Sequence, residues 1–237
     1  ISDGTWGEVR RGWLLGLFEP GELTAQLGCW IPSPRFGIRQ GGKVRAIDDF
    51  SESRVNDTLA SAETVDPADL DAIGANLRAH MDLLTIADAS RATTSPFKGH
   101  VAHKDHAGAQ VHGRLWDLSK AYRQLARRPA DAALTVVCVW DPVSRRPLYF
   151  KQPSLAFGAA ASVLGFNWVA AALATILVEI FHVGATNFYD DFTVFEGASL
   201  VDSCTLVVDS LFDLLGWECK DLPGFSLHPE PLGATIA

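Results

Sequence analysis

The stretch SVLGFNWVAAALATILVEIFHV, residues 162 to 183, is apolar over about the length that spans a bilayer, and no other segment narrows the choice of fold as much. In a membrane it would place Asn167 and Glu179 in lipid, and no basic cluster flanks either end to set an orientation. A helix buried in a large core fits better, because such helices are hydrophobic nearly all round. The chain can supply that core: 48% of its 237 residues are apolar, enough for one large domain or two small ones.

Shortly after this segment, NFYDDFTVFE (187 to 196) reads as strand but sets Asp190 and Asp191 side by side between aromatic and β-branched residues. The pattern predicts a hairpin, Thr186 to Glu196, with the acids at its tip. A second acid, Asp117, ends the apolar strand of RLWDLSKAY. Carboxylates at strand ends stay wet enough to ionise while the sheet holds them. If the two strands were neighbours, three carboxylates would meet without basic partners and raise one another's pKa values unless divalent cations lay between them. Magnesium suits such a site: it takes oxygen ligands, binds few carboxylates and completes its octahedron with substrate phosphates. Two such ions about 4 Å apart activate a hydroxyl and stabilise a leaving oxygen in phosphoryl transfer.

Elsewhere the chain alternates strand and helix signals. Residues 1 to 34 hold Trp6, Trp13 and Trp30 and read as a packed lead-in. RFGIRQGGKVRAIDDF predicts two strands around Gly41-Gly42, a hairpin carrying Arg35, Arg39, Lys43 and Arg45. Asp66 as N-cap and Pro67 in the first turn open a helix with Leu70, Ile73, Leu77 and Met81 at helical spacing. Residues 90 to 110 read as a polar loop, and AALTVVCVWDP with RRPLYFKQPS as a hairpin turned at Pro142 to Arg146. An amphipathic helix follows over 199 to 216, ending at Gly216, and FSLHPEPLGATIA is expected to add a last strand.

Taken in order, KVRAIDDFSESRVN, LWDLSKAYRQL, PSLAFGAAASVLGFNWV, NFYDDF and LFDLLGWECK followed by PLGATIA resemble the successive fingers and palm motifs of reverse transcriptases, most of all those of eukaryotic retroelements such as retrotransposons. The match spans roughly residues 35 to 237, and its weight lies in five pieces in the right order. The resemblance implies an α+β right-hand polymerase: a lead-in over 1–34, fingers over 35–110 and a palm over 111–237. A fingers hairpin lies near 131–152, and the palm is an antiparallel sheet backed by helices. No thumb is evident after Gly233, nor an RNase H segment. The implied activity is RNA-directed DNA polymerase, a nucleotidyltransferase joining dNTPs to a primer 3′-hydroxyl on an RNA or DNA template. Two Mg²⁺ ions, replaceable by Mn²⁺, assist.

By the same resemblance Asp117 and Asp190 are the principal metal ligands and catalytic acids, with Asp191 supporting. Tyr122, five residues after Asp117, stands where a bulky ring lies beneath the sugar and would exclude a ribose 2′-hydroxyl. Lys43 and Arg45 correspond to basic fingers residues on the triphosphate. Phe157 and Gly158 fall where the family carries P-F-G or P-Q-G and would line the nucleotide, although Ala156 replaces the proline and Pro153 precedes it. Lys220 falls near the lysine after L-G-W that lies by the departing pyrophosphate, at a shorter spacing than usual. Arg123 and Gln124 are expected to make structural or template contacts. Two other readings remain: a degenerate remnant that keeps the fold without turnover, and an RNA-directed RNA polymerase palm, which would have a small or polar residue at the Tyr122 position.

Remaining signals carry less. A charge of −8 argues against coating by nucleic acid through bulk charge, though Arg127, Arg128, Arg145, Arg146 and Lys151 could line a channel. The scattered Cys29, Cys138, Cys204 and Cys219 read as buried thiols, and with no leader visible the protein is expected to be intracellular, in cytoplasm or nucleus. His100, His103, His106 and His112 could bind zinc, but a hydrated loop needs no helix to align them. Asp48 and Asp49 should pair with Arg45 or cap the next turn.

Overall fold

The computed structural model describes residues 2–61, 64–94 and 110–234. In chain order these form α1 (Ser2–Arg10), β1 (Leu15–Phe18), α2 (Pro20–Leu27), β2 (Pro32–Gln40), β3 (Lys43–Asp48), α3 (Leu70–Thr94) and β4 (Val111–Asp117). Then come α4 (Ala121–Gln124), β5 (Val136–Asp141), β6 (Arg146–Lys151), α5 (Ala160–Thr175), β7 (Gly184–Phe188), β8 (Asp191–Gly197) and α6 (Val201–Leu215). The class is α+β, with two separate sheets. Two compact units hold them: Ile1–Val65 with Lys120–Asn167, and Asp66–Ser119 with Trp168–Ala237. These boundaries differ from 1–34, 35–110 and 111–237: the lead-in belongs with the residues that follow it, and α3 belongs with β4.

In the first unit five strands run in the order β1-β6-β5-β2-β3, antiparallel except for β2 beside β5. The β2–β3 turn is Gly41-Gly42, at φ 56° and 74°, the left-handed pair that a two-residue hairpin demands. Asp141 turns β5 into β6 by accepting hydrogen bonds from the Val143 and Ser144 backbone N–H groups. One sheet face is apolar and packs Val137, Val139 and Phe150 with Leu14, Phe50, Val55, Ala156 and Ala159, all buried. Glu19 and Glu22 form a capping box on α2, and Pro20 sits at its first turn.

In the second unit β8 is the central strand of β4-β8-β7, all antiparallel. Phe192, Thr193, Val194 and Phe195 are all buried, so this strand is covered on both faces. Phe192 meets Phe212 of α6 with ring centroids 5.4 Å apart, while Trp116 of β4 donates from Nε1 to Asp209 of α6. Residues of the alternate parity turn toward α3, which lies over β7 and β8. There Asn76 Nδ2 donates to the Gly184 carbonyl, and the imidazole of His80 lies directly over Gly184.

Four local expectations change. The helix begins at Leu70, not near Asp66, because Asp69 is the residue that caps it, accepting from the Ala72 N–H. It also runs on to Thr94, into part of the stretch read as loop; His100, His103 and His106 lie outside the described residues, and His112 lies in β4. The expected last strand is absent among the described residues: the segment makes a single bridge to β4, Gly113↔Ser226, beside the edge-on contact of Phe225 with Trp116, since Pro229 and Pro231 have no N–H to extend a ladder. The thiols differ too, with Cys204 buried but Cys29 exposed, and none is in a disulfide.

Helix α5 with its continuation, Ala160–Ile180, is long and apolar enough to cross a membrane by length and composition. It is not buried all round. Phe166, Ala170, Leu173 and Leu177 form a buried line, while Trp168 and Ile180 are 63% and 65% exposed. A wider π-helical turn, Ile176–Ile180, ends it, with Val183 N–H bonded to the Leu177 carbonyl just before β7.

A Cβ at position 184 would land on the His80 ring, whose Nδ1 is fixed 2.9 Å from the Asn76 carbonyl. Gly184→Ala is therefore expected to lower the urea-unfolding free energy by about 1–3 kcal/mol. His80→Ala in the same chain, by removing the ring, should return most of that loss.

Candidate active site

The strand register decides whether the distant acids meet. β4 and β8 pair antiparallel with Asp117 opposite Asp191, the last pair of the ladder. Directly opposed residues project to the same face with Cβ atoms about 5 Å apart. The next residues join the turn: the Leu118 N–H donates to the Asp190 carbonyl at 3.0 Å. Phe188 also pairs with Asp191, so only Tyr189 and Asp190 make the hairpin tip. Tyr189 takes φ 52°, a left-handed conformation costing a bulky L-residue about 1–3 kcal/mol. Such strain persists because the β4, β7 and β8 pairings on either side leave the tip no other path.

The electrostatics follow from this crowding. Burial, then the charges of Asp117 and Asp190, push the Asp191 carboxyl up to about 6, with Lys220 opposing. Asp190 is also raised, by burial first and by Asp117 in addition. Asp117 itself is held asymmetrically. Its Oδ2 accepts from Lys220 Nζ, while Oδ1 is buried without a hydrogen-bond partner among the described residues. Lys220 reaches it because the chain after α6 turns at Gly216, φ 76°, and runs back along β4. There Lys220 N–H donates to the Asp117 carbonyl and Ser119 N–H to the Glu218 carbonyl. The short spacing after L-G-W thus still brings this lysine to the acids.

The donors are of the right kind for Mg²⁺: hard carboxylate oxygens, one of them buried and unsatisfied. Their present arrangement is not that of a closed metal cage, since among the described residues no three His, Cys, Asp or Glu side chains group to hold an ion. Lys220 supplies the positive charge instead.

The other candidate residues lie in the first unit. Lys43 and Arg45 are exposed on β3, opposite Gln40 and Ile38, and project to one face. Tyr122 is buried on the one-turn helix α4, with the Phe157 ring edge-on at 5.5 Å and Phe166 tilted at 4.8 Å. Phe157 is exposed, and Gly158 follows at φ 97°. A Cβ there would come within 2.7 Å of the Asp48 carbonyl, so glycine is required for both conformation and space. The segment around Phe157 is tied in by hydrogen bonds: Leu155 N–H donates to the Leu125 carbonyl, Arg127 N–H to the Pro153 carbonyl, and Asn56 Nδ2 to the Gly158 carbonyl.

Several charges have partners, and Arg35 with Asp48 is bound inside. Arg35 pairs with Asp48 through two bonds and with Glu8 at 2.9 Å, so Asp48 does not partner Arg45. Asp49 caps the following turn through the Ser51 and Glu52 N–H groups. Arg127 is spent on the Gln152 and Arg128 carbonyls, Arg128 on Asp131, Arg146 on Glu19, and Lys151 on Gln26. Nothing in the pattern of ISDGTWGEVR announces Glu8 as the partner of an arginine 27 residues away.

Compared with known proteins, the chain matches no family model and no curated protein sequence.

The raised Asp191 has a consequence for stability. Its proton is bound more tightly in the folded protein than in the unfolded chain, so the fold loses stability as pH rises from 3.8 to about 6. Asp191→Asn is expected to melt about 2–4 °C above the wild type at pH 7.5 in chelator, and at the same temperature near pH 4. Thermal scans at the two pH values check this; equal melting at pH 7.5 would mean that the carboxylate is not penalised.

Proposed function

We propose that this chain is the fingers and palm core of an RNA-directed DNA polymerase, with the first unit as fingers and the three-stranded unit as palm. The observation that carries the reading is the β4–β8 register, which pairs Asp117 with Asp191 and seats Asp190 at the adjoining tip. Like charges directly opposed weaken a ladder, so acids at these two positions do not serve the strand pairing itself. The buried Asp117 Oδ1, without a hydrogen-bond partner among the described residues, supports the same reading.

On this reading Asp117, Asp190 and Asp191 hold two Mg²⁺ ions, which when bound polarise the α-phosphate and the primer hydroxyl. The chain's own work is positioning and charge neutralisation. Lys43 and Arg45 bind the triphosphate, Arg45 suited to two oxygens at once and Lys43 to a point charge. Lys220 offsets negative charge beside Asp117 and is suited to neutralise pyrophosphate as it leaves. Phe157 and Gly158 line the nucleotide, and Tyr122, flanked by Phe157, excludes a 2′-hydroxyl and so selects dNTPs over rNTPs.

A second reading is favoured by one observation, the ion pair of Lys220 with Asp117. A lysine that permanently satisfies the acid would make a folded but non-catalytic remnant. Primer extension on poly(rA)·oligo(dT) with dTTP and Mg²⁺ separates the two. The polymerase reading expects incorporation that falls at least about 100-fold in Asp190→Asn, with Tyr122→Ala raising rNTP use about tenfold or more. Equal incorporation by wild type and Asp190→Asn overturns the mechanism, and none by either favours the remnant.

A further inference from the structure

Helix α4 cannot hold itself in place. It has four residues, Ala121–Gln124, and its N-cap, Lys120, sits at φ 54° with no side-chain cap bond. A single turn is below the length at which a helix is stable alone, so the direction of Tyr122 must be set by what its neighbours grip. Arg123, the next residue, supplies that grip. One guanidinium nitrogen donates to Gln152 Oε1 at 2.5 Å, and another donates to Glu8 Oε2 at 3.2 Å.

From there the bonds close on themselves. Gln152 Nε2 donates to Asp48 Oδ2 at 2.9 Å, Asp48 accepts from Arg35 Nε and Nη2, and Arg35 Nη1 donates to Glu8 Oε2 at 2.9 Å. The ring Glu8, Arg35, Asp48, Gln152 and Arg123 draws on α1, β2, β3, the residue that follows β6, and α4, and its four charges cancel. Arg35 and Asp48 side chains are 1% and 4% exposed and that of Arg123 is 9%, so little solvent screens these bonds. Burial lowers the Arg123 pKa, with Glu8 and Asp48 opposing that effect. Two planar forks, each bridging two acceptors, fix orientation in a way that single-point contacts do not. The hub is Asp48, whose carboxylate closes the ring while its carbonyl abuts Gly158, the residue after Phe157.

We propose that this closed ring is the positioning device for Tyr122 and Phe157, and that Glu8 and Gln152 thereby determine discrimination between dNTP and rNTP without touching the nucleotide. The inference rests on the polymerase reading given above. Removing one member leaves Arg123 a free swing on one side, and α4 tips. Tyr122 then loses its fixed place against Phe157 and Phe166, and the space that excludes a 2′-hydroxyl opens.

The experiment compares wild type, Glu8→Gln and Gln152→Met, each checked for folding by circular dichroism, with Glu8→Gln as the milder change because Glu8 is part-exposed. Single-nucleotide kcat/KM is measured for dTTP and UTP on poly(rA)·oligo(dT). Fluorotyrosine ¹⁹F spectra report the three tyrosines, Tyr122, Tyr149 and Tyr189, separately. The expected result is a fall of about tenfold in the dTTP/UTP ratio in both variants, with a shifted or doubled Tyr122 resonance. In the Tyr122→Ala background neither substitution should lower the ratio further. A folded variant with the ratio within about twofold of wild type, or with an unmoved Tyr122 signal, overturns the inference alone; a ring that only stabilises the fold would change melting and leave the ratio. A wild type that incorporates no dTTP overturns the polymerase reading, and the selectivity claim falls with it.

Discussion

The pairing of β4 with β8 is the contact on which the candidate site depends. It sets Asp117 against Asp191 on one face of the sheet. Two full charges at about 5 Å and an effective dielectric near 20 repel by roughly 3 kcal/mol, a cost no strand pair accrues without compensation. The compensation here has two parts. Asp191 holds its proton up to about pH 6, and Lys220 is delivered to Asp117 by the returning segment after α6. The sheet tolerates the repulsion because the rest of the ladder, from Val111↔Gly197 to Trp116↔Phe192, is in register and the central strand is buried from Phe192 to Phe195. A one-residue slip would turn Phe192 and Val194 away from α6, so the hydrophobic face fixes the register and the acids follow it.

The first unit solves a different problem. Its sheet buries an apolar face in the usual way, but a second centre is polar, built from Glu8, Arg35, Asp48, Gln152 and Arg123. Such a network gains little net stability over well-packed apolar side chains, since desolvating the charges costs about as much as their attraction returns. What it supplies is geometry. Each donor has one acceptor direction that satisfies it, so segments that could slide over an apolar surface are locked to one arrangement.

Much of the local structure was legible because it depends on nearest neighbours. Gly41-Gly42 specified a hairpin through φ alone, and Asp141 to Arg146 and Phe188 to Asp191 marked turns between strands of alternating pattern. Gly216 ended α6 as its left-handed conformation requires. Errors came where two local signals competed or where partners were remote. Asp66-Pro67 looked like a cap, yet Asp69 makes the bond. Arg35 looked like one of a run of surface cations, and only the opposing β3 carboxylate, with Glu8 from α1, draws it inside. The apolar run 162 to 183 has the composition of a fully buried helix, but period and hydropathy do not reveal how many faces a neighbour will cover.

The sequence by itself determined which residues stand as candidates: adjacent acids at a hairpin, a third acid at a strand end, an aromatic five residues later, and a lysine beyond α6. It settled this because residue type and short-range backbone preference are local properties. Which of these groups face one another was decided only by the tertiary structure. The meeting of Asp117 with Asp191, the bond from Lys220 and the closure of the ring through Glu8 each join residues far apart in the chain, and such pairs are chosen by strand register and packing, which no local pattern encodes.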